Sequence, residues 1–291
     1  MKPGKLILLI LICTAAAFVL MGCGGEREFD ETRKITTVAR EPGSGTRGAF
    51  IDLFQLEYRG PEGTRKDLTT INAIVANKTD VTITSIAGDK HAIGYISVGS
   101  LNSLVKAVSI DGVEATVANV LNGTYKTKRS FLIATKDEPS DLALDFIDYI
   151  LSKEGQAEVR KNNYVPAVEQ AADYSGDKPG GRVVISGSSS VNPVMEKLKE
   201  SYAIINPNGR IEIQVTDSTA GLNSLLNGTC DIAMTSRDLT ETEKARMNPP
   251  ILIASDGIAV IVNNDNPYDQ LSSEQIRQIF IGEITHWNEL Q

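Results

Sequence analysis

The sequence is poor in cysteine and histidine, which limits the chemistry available to it. Three cysteines, at positions 13, 23 and 230, are too few for the disulfide framework of a small secreted domain. We expect Cys230 to be a small buried residue. The two histidines, His91 and His286, have no ligand spacing to other residues, so a zinc site is not expected. We therefore expect no metal and no other cofactor.

The same scarcity argues against an enzyme. Neither histidine lies near a motif, which disfavours a Ser–His catalytic pair. The sequence contains no G-x-S-x-G elbow, and the S-x-x-K pattern at residues 103–106 lacks its companion motifs. We expect no catalytic residues.

Basic residues are also fewer than acidic residues. The chain has 29 lysines and arginines against 37 acidic residues, a net charge of −8. Nucleic acid binding needs a basic face, so nucleic acid is not an expected partner. An acidic protein does not attract anions by its general field. Any anion site must therefore be local, built from backbone donors, hydroxyl groups and a few arginines.

The chain begins with the features of a secretory signal. Lys2 and Lys5 precede an apolar run over residues 6–21, slightly short for a membrane span of about 20 residues. The following tetrapeptide, ending in Gly22-Cys23, resembles a bacterial lipobox. That resemblance implies a signal at 1–22, lipidation of Cys23, and anchoring at the outer face of the cytoplasmic membrane. An ordinary signal or an uncleaved anchor is the alternative. Without residues 1–22, which hold two lysines and no acid, the net charge becomes −10.

Two short clusters of glycine and hydroxyl residues, at 40–47 (REPGSGTR) and 186–191 (SGSSSV), are the most informative feature. Each follows a β-branched run and precedes an amphipathic stretch, which predicts a strand–loop–helix junction. Helix N-termini carry unpaired N–H groups and partial positive charge, which favour a bound oxyanion. Two such junctions facing each other would surround an anion with neutral donors.

The hydrophobic pattern predicts alternating strands and helices, as in an α/β protein with parallel strands. The chain of 291 residues is long enough for two domains. Residues 81–86 favour a strand by composition, although a helix is possible. The predicted strands are 35–39, 92–98, 131–135, 183–186, 211–215 and 231–236, and the predicted helices are 47–58, 139–155, a helix from about 193, and 220–226.

Several long segments resemble one protein family: GSSSVNPVMEKL, DSTAGLNSLLNGTCDIAMTSRDL, DGIAVIVNNDNP, IRQIFIGEITHWNEL, AREPGSGTRGAF, AIGYISVGSL and ILSKEGQAEVRKNNYVP. Together they cover most of residues 35–166 and 182–290. The family is the phosphate-binding lipoprotein of bacterial phosphate ABC transporters. The resemblance implies a two-lobed type II periplasmic-binding-protein (Venus-flytrap) fold, inorganic phosphate as ligand, ABC permease subunits as partners, and a monomer.

The order of these segments differs from that family, which indicates a circular permutation or, alternatively, a truncated tandem gene. The segment at 168–181 would then join the old termini. We predict a signal at 1–22 and a tether at 23–33. One lobe would comprise 34–104 and 258–291, and the other 105–257, with hinges near 103–112 and 254–258.

The resemblance also implies a set of phosphate ligands and leaves the proton acceptor open. Protonated phosphate carries a donor that sulfate lacks, so an acidic side chain in the site would favour phosphate; Asp217, Asp238 and Asp256 are the candidates. A non-transport sensor, or a binder of another tetrahedral oxyanion such as molybdate or tungstate, is the alternative function. The implied ligands are Arg40, Ser44, Gly45, Thr46 and Arg47 from one lobe, and Ser189, Ser190, Val191, Ser218, Thr219, Ser236 and Arg237 from the other.

Overall fold

The computed structural model describes residues 28–60, 65–136 and 138–290. The described residues from 31 onward form one compact unit, and the described residues 28–30 are assigned to another. The predicted signal and the lipidation site at Cys23 lie outside the described residues. Within the described ranges, no helix is long and apolar enough to cross a membrane.

The strands alternate with helices along most of the chain, as the sequence predicted. The strands are β1 (Thr36–Arg40), β2 (Glu57–Arg59), β3 (Arg65–Asp67), β4 (Ile74–Ala76), β5 (Ala92–Ser97), β6 (Val105–Ala107), β7 (Ser109–Ile110), β8 (Lys128–Thr135), β9 (Val165–Pro166), β10 (Gly181–Ser188), β11 (Gly209–Thr216), β12 (Ile232–Thr235), β13 (Ile251–Asn263) and β14 (Gln270–Leu271). The helices are α1 (Gly45–Leu53), α2 (Thr79–Ala87), α3 (Val117–Leu121), α4 (Asp141–Leu151), α5 (Lys153–Lys161), α6 (Asn192–Ile205), α7 (Ser218–Leu226), α8 (Glu241–Lys244) and α9 (Ser273–Ile281), with 3₁₀ turns at Val98–Ser100 and Trp287–Leu290.

One long strand, β13, belongs to both halves of the main sheet. The strand order is β11-β10-β12-β8-β13-β5-β1-β4. Residues 251–257 of β13 pair antiparallel with β8, and residues 258–262 pair antiparallel with β5. We call β11-β10-β12-β8 the first half-sheet and β5-β1-β4 the second half-sheet. Within them, β10 pairs in parallel with β11 and β12, and β1 pairs in parallel with β4 and β5. The predicted α/β architecture is confirmed.

The lobe boundaries stay predictions, but the strand pairing bears on them. β6 pairs with residues 261–263 of β13, and β7 pairs with β14. These two strands, which the predicted division placed in the 105–257 lobe, therefore pair with the segment predicted as the second part of the split lobe. The partner change of β13 between Gly257 and Ile258 lies at the end of the predicted 254–258 hinge.

Both faces of the first half-sheet are covered by helices with an apolar side. α6 begins at Asn192-Pro193, where proline suits the first turn of a helix. It packs Val194, Leu198 and Tyr202 into a core shared with α4 and β10. α7 covers the opposite face with Leu222 and Leu225. The strand C-termini and helix N-termini therefore meet at one edge of the sheet, as in other α/β folds.

A close backbone approach fixes α7 on β10 and gives a stability prediction. A Cβ added at Gly221 would lie 2.5 Å from the Gly187 Cα and 2.7 Å from the Ser186 carbonyl oxygen. We expect Gly221→Ala to lower the free energy of unfolding by about 1–3 kcal/mol, because the backbone must shift to accept the methyl group. Gly48 lies within α1 with no atom within 4 Å of an added Cβ. Gly48→Ala is the matched control, and it should raise stability by up to ~1 kcal/mol. Urea denaturation measures both, and equal effects of the two variants would contradict the close-approach argument.

Three sequence expectations about elements need correction. The predicted helix at 47–58 is α1, Gly45–Leu53, and it ends earlier because Gln55 adopts a left-handed φ of 53°. The predicted helix at 139–155 is two helices: Ser152 is extended, and its hydroxyl accepts a hydrogen bond from the Gly155 N–H as the cap of α5. Residues 81–86 lie in α2, so the helical alternative holds and the strand propensity is overridden.

The segment at 168–181, predicted to join the old termini, is held against α4 and α5. The Tyr174 hydroxyl donates to Asp145 Oδ2 at 2.6 Å, and the Lys178 N–H donates to Asp145 Oδ1 at 3.4 Å. The Tyr174 ring also packs edge-on against Tyr149. Near the other end of the chain, Trp287 is fully buried.

Candidate functional site

The two glycine–hydroxyl clusters of the sequence meet in the structure. The Thr46 hydroxyl at the start of α1 lies 2.5 Å from the Ser190 hydroxyl in the loop before α6. The Gly43 carbonyl oxygen accepts hydrogen bonds from the Thr219 N–H and hydroxyl at the start of α7, both at 3.3 Å. The N-termini of α1, α6 and α7 therefore converge, and their partial positive charges add at this point.

Each of these junctions is built by local rules. Ser44 caps α1, its hydroxyl accepting from the Arg47 N–H at 3.3 Å, and Asp217 caps α7, its carboxylate accepting from the Ala220 N–H at 2.8 Å. In the loop before α6, the Ser190 N–H donates to the Ser188 hydroxyl and the Val191 N–H to the Ser188 carbonyl oxygen. The Ser190 and Val191 amides, predicted as anion donors, thus bond to their own turn.

Arg40 lies at the end of β1, fully buried, with its guanidinium beside the hydroxyl groups. Its Nε and Nη2 donate to the Glu41 carboxylate at 2.9 and 2.8 Å. Nη2 also donates to the Ser189 hydroxyl at 2.9 Å, and Nη1 to the Thr79 hydroxyl at 3.4 Å. The Tyr95 hydroxyl, which accepts from the Arg40 N–H, fixes the strand end. Arg40 thus connects the second half-sheet to the Ser189 loop.

The remaining serines complete the contact between α1 and the first half-sheet. The Ser188 and Ser236 hydroxyls lie 2.9 Å apart, and the Ser236 N–H donates to the Ser218 hydroxyl at 3.2 Å. A Cβ added at Gly45 would lie 2.5 Å from the Ser236 hydroxyl oxygen and 2.7 Å from that of Ser218. Glycine at position 45 therefore allows the start of α1 to approach both serines.

Two predicted ligands, Arg47 and Arg237, are paired with carboxylates at the rim of the site. Arg47 donates from Nε and Nη2 to Asp67 at 2.8 and 2.7 Å, and from Nη1 to the Arg40 carbonyl oxygen. Arg237 donates to both Glu243 oxygens at 2.9 and 2.8 Å, and these hydrogen bonds hold the pKa of Glu243 at about 2. Arg47 braces the end of β1, and Arg237 reaches Thr219 at 3.2 Å. Their roles as phosphate ligands stay predictions.

The three candidate acceptors occupy different positions. Asp217 caps α7 and lies against Gly43, where an added Cβ would be 2.4 Å from its Oδ1. Asp238 is exposed. Asp256 is buried on β13, and its Oδ1 accepts from the Gly99 N–H at 3.3 Å. The Oδ2 atom of Asp256 binds Arg129, which in turn donates to the Thr46 hydroxyl of the buried cluster.

Arg129 and Thr79 are site residues that the sequence reasoning missed. Arg129 donates from Nε and Nη2 to Asp256 Oδ2 at 3.0 and 2.8 Å, and from Nη1 to the Thr46 hydroxyl at 2.6 Å. Burial lowers the pKa of Arg129, and the Asp256 carboxylate opposes that shift. The available signal was a charged residue at the start of an apolar strand. Thr79 begins α2, and its hydroxyl lies 3.4 Å from that of Ser189; nothing in its surroundings in the sequence marked it.

A groove of about 1000 Å³ lies beside this cluster. Its wall includes Arg129 and Ser236, which belong to the cluster, and Lys128, Arg47 and Arg237. Among the described residues, no group of three or more histidine, cysteine or acidic side chains has the arrangement of a metal site. The arrangement of hydroxyls, helix N-termini and guanidinium groups suits an oxyanion.

A family model described as a PBP superfamily domain matches residues 28–154 and 168–291. The chain belongs to this superfamily. It is 45% identical to the phosphate-binding protein PstS 2 of Streptococcus agalactiae, over 100% of this chain and 99% of that protein. A crystal structure of a phosphate ABC transporter phosphate-binding protein from Streptococcus pneumoniae TIGR4 matches with a TM-score of 0.70 and 39% identity, covering 89% of this chain and 100% of that one.

A third relative matches over a shorter stretch. The phosphate-binding protein PstS of Staphylococcus haemolyticus is 32% identical over 125 residues, which are 40% of this chain and 38% of that protein. The superfamily members of Streptococcus therefore align from end to end, whereas the staphylococcal relative aligns in one block. The predicted periplasmic-binding-protein fold is confirmed by the family match.

Proposed function

We propose that the chain is an extracytoplasmic solute-binding lipoprotein that captures inorganic phosphate between its lobes and delivers it to an ABC permease. The observation that carries the proposal is the buried cluster of the Thr46, Ser189 and Ser190 hydroxyls beside the Arg40 guanidinium. The names of the streptococcal relatives support phosphate as the anion and an ABC transporter as the partner.

The cluster has the properties that a dehydrated oxyanion needs. Removing water from a doubly charged anion is costly unless the lost hydrogen bonds are replaced. Each hydrogen bond to a charged group contributes roughly 1.5–3 kcal/mol net. Hydroxyls such as those of Thr46 and Ser190, which bond each other across the site, can rotate to donate to an anion instead. Binding thus exchanges bonds between the halves for bonds to the ligand.

The proposed inner ligands are the hydroxyl groups and Arg40, with Arg47 and Arg237 at the rim. In this assignment Ser44 and Asp217 act chiefly as helix caps, and Gly45 allows close approach. Chemistry on the ligand forms no part of the proposal. The full proposed set of site residues, which includes the ligands and the residues that support them, is Arg40, Ser44, Gly45, Thr46, Arg47, Ser189, Ser190, Val191, Ser218, Thr219, Ser236 and Arg237.

The lipid anchor and the segment order belong to the same proposal. A lipid at Cys23, followed by the polar tether at 23–33, would hold a monomer at the outer face of the membrane. The single aligned block with the staphylococcal relative supports a circular permutation. The end-to-end alignment with the Streptococcus agalactiae relative favours a stable inherited order over a truncated tandem gene.

Isothermal titration of the full chain in mild detergent tests the proposal. We expect phosphate to bind with a dissociation constant of about 1 μM or tighter, roughly −8.2 kcal/mol, and sulfate and molybdate to bind more weakly. Tighter binding of molybdate or tungstate would assign the site to another oxyanion. A folded protein indifferent to all of these anions would refute the proposal. Phosphate uptake after gene deletion then separates transport from sensing, because a sensor would bind phosphate while uptake stayed normal.

A further inference from the structure

We infer that Arg129 is the second guanidinium ligand of the bound anion, and that Asp256 is its positioning residue. The inference rests on the proposed function, because it names a further contact in the same site. It adds a second buried cation to the inner ligands, while Arg47 and Arg237 stay at the rim.

The position of Arg129 in the fold makes it rigid. Arg129 is the second residue of β8 and is the cross-strand neighbour of Asp256 on β13, next to the point where β13 changes partner. The two side chains are 4% and 1% exposed. Asp256 Oδ2 accepts two N–H groups of the guanidinium, and Oδ1 accepts the Gly99 N–H. The carboxylate thus braces one edge of the guanidinium and holds its plane.

The opposite edge of the guanidinium faces the hydroxyl cluster. Arg129 Nη1 donates to the Thr46 hydroxyl at 2.6 Å, and that hydroxyl lies 2.5 Å from the Ser190 hydroxyl. A guanidinium has five N–H groups, and these bonds use three of them. An anion that replaced the Thr46–Ser190 contact would therefore lie within reach of Nη1.

Arg40 has the same arrangement on the other side of the cluster. The Glu41 carboxylate accepts hydrogen bonds from Arg40 Nε and Nη2. Nη1 also donates to the Thr79 hydroxyl and Nη2 to the Ser189 hydroxyl. Each buried cation therefore has its own carboxylate, which avoids the cost of an unpaired buried charge. Two guanidinium groups fixed in this way can each offer donors to a tetrahedral anion lying between them.

The groove provides a second, independent observation. Arg129 and Ser236 are among the residues that line its wall, and the Arg129 side chain is 4% exposed. Arg47 and Arg237 line the same groove and are likewise paired with carboxylates, those of Asp67 and Glu243. Of the cations along this path, Arg129 is the one hydrogen-bonded to the Thr46 hydroxyl.

The test compares the phosphate affinity of the parent with that of two variants of the full chain in mild detergent. The double variant Arg129→Gln/Asp256→Asn removes both charges of the pair, leaves the net charge unchanged and keeps groups that can hydrogen-bond. Arg182→Gln is the control, because Arg182 lies on the surface, paired with Glu212. We expect the double variant to bind phosphate about 10- to 100-fold more weakly, the value of one charged hydrogen bond, and the control to bind like the parent.

The pH dependence of affinity separates a direct contact from a structural role. Above the second pKa of phosphate the ligand is a dianion, and each cation in the site then gains attraction. We expect the gain in affinity across that pKa to be smaller in the double variant than in the parent. Arg129→Lys keeps the positive charge but lacks the planar guanidinium. This variant should therefore bind phosphate more weakly than the parent, yet show the same gain in affinity across the second pKa of phosphate.

The outcomes are distinguishable. Unchanged affinity and unchanged pH dependence in a double variant whose parent binds phosphate would overturn the inference and leave the proposed function standing. If the double variant does not fold, Arg129→Lys decides: parental affinity there would likewise overturn the inference. A parent chain that does not bind phosphate would refute the proposed function itself, and the inference with it.

Discussion

Replacing Arg40 with glutamine should lower the affinity for phosphate about 1000-fold, ~4 kcal/mol, while the chain stays folded. Arg40 is buried at the end of β1 and is the cation bonded directly to the Ser189 hydroxyl. Truncating one partner of a buried charge contact costs about 2–5 kcal/mol because the other charge loses its counterpart. Isothermal titration measures the change, and thermal unfolding checks that the variant is folded.

The variant also leaves Glu41 without its guanidinium, which provides a control. A stray carboxylate near the site would repel the anion, so some of the loss could come from Glu41 rather than from the missing donors. The double variant Arg40→Gln/Glu41→Gln removes both charges. We expect it to bind phosphate nearly as weakly as the single variant. Recovery of the parental affinity in the double variant would show that Arg40 merely neutralises Glu41.

The second large effect concerns stability. Asp256→Ala should lower the free energy of unfolding by about 3–5 kcal/mol, because it leaves the buried Arg129 guanidinium without its carboxylate. The measurement is urea denaturation without phosphate. Replacing both residues by apolar ones of similar size, as in Arg129→Met/Asp256→Leu, should recover most of that stability.

A surface aspartate is the matched control for this experiment. Asp238 is exposed, so Asp238→Ala should change the stability by no more than about 0.5 kcal/mol. If Asp256→Ala unfolded at the same urea concentration as Asp238→Ala, the guanidinium would have to find water or another partner, and the buried pair would not be a structural element. A double apolar variant no more stable than Asp256→Ala would point instead to lost packing around Thr46.

The two parts of the site that are each formed by a short continuous segment could be predicted from the sequence. The helix start at Ser44–Thr46 follows from a capping serine, and the loop at Ser189–Ser190 follows from a glycine–hydroxyl cluster just before a helix with proline in its first turn. Both junctions occur where expected. Their meeting could be expected from the family resemblance, because strand ends and helix starts in α/β folds share one edge. The local sequence was sufficient to predict each strand–loop–helix junction because each is formed within a few residues.

The partners of the arginines could not be predicted in this way. Arg129 meets Asp256 because β8 and β13 pair in one particular register, and these residues lie 127 positions apart. Arg47 likewise finds Asp67 through the placement of β3, so a cation counted as a ligand is held at the rim. The composition gives the number of charged residues, but which of them pair depends on strand register and on the placement of elements in the fold.

Two local errors have a physical origin as well. The run at 81–86 is rich in β-branched residues, yet α2 buries Thr82, Ile83 and Ile86 against the second half-sheet, and this packing outweighs propensity. At 139–155 the apolar pattern continues through Ser152, and the break is set by its hydroxyl, which donates to the Tyr149 carbonyl oxygen and caps α5.

The sharing of β13 by both half-sheets has a mechanical consequence. The backbone of β13 pairs first with β8 and then with β5, so rotation of one half-sheet relative to the other would involve backbone torsions in the predicted hinge at 103–112 as well as near Gly257. A Cβ there would lie 2.6 Å from the Val120 side chain, which leaves little room for bending toward α3. Steric contact at Gly257 would therefore restrict the directions in which the two half-sheets can rotate relative to each other.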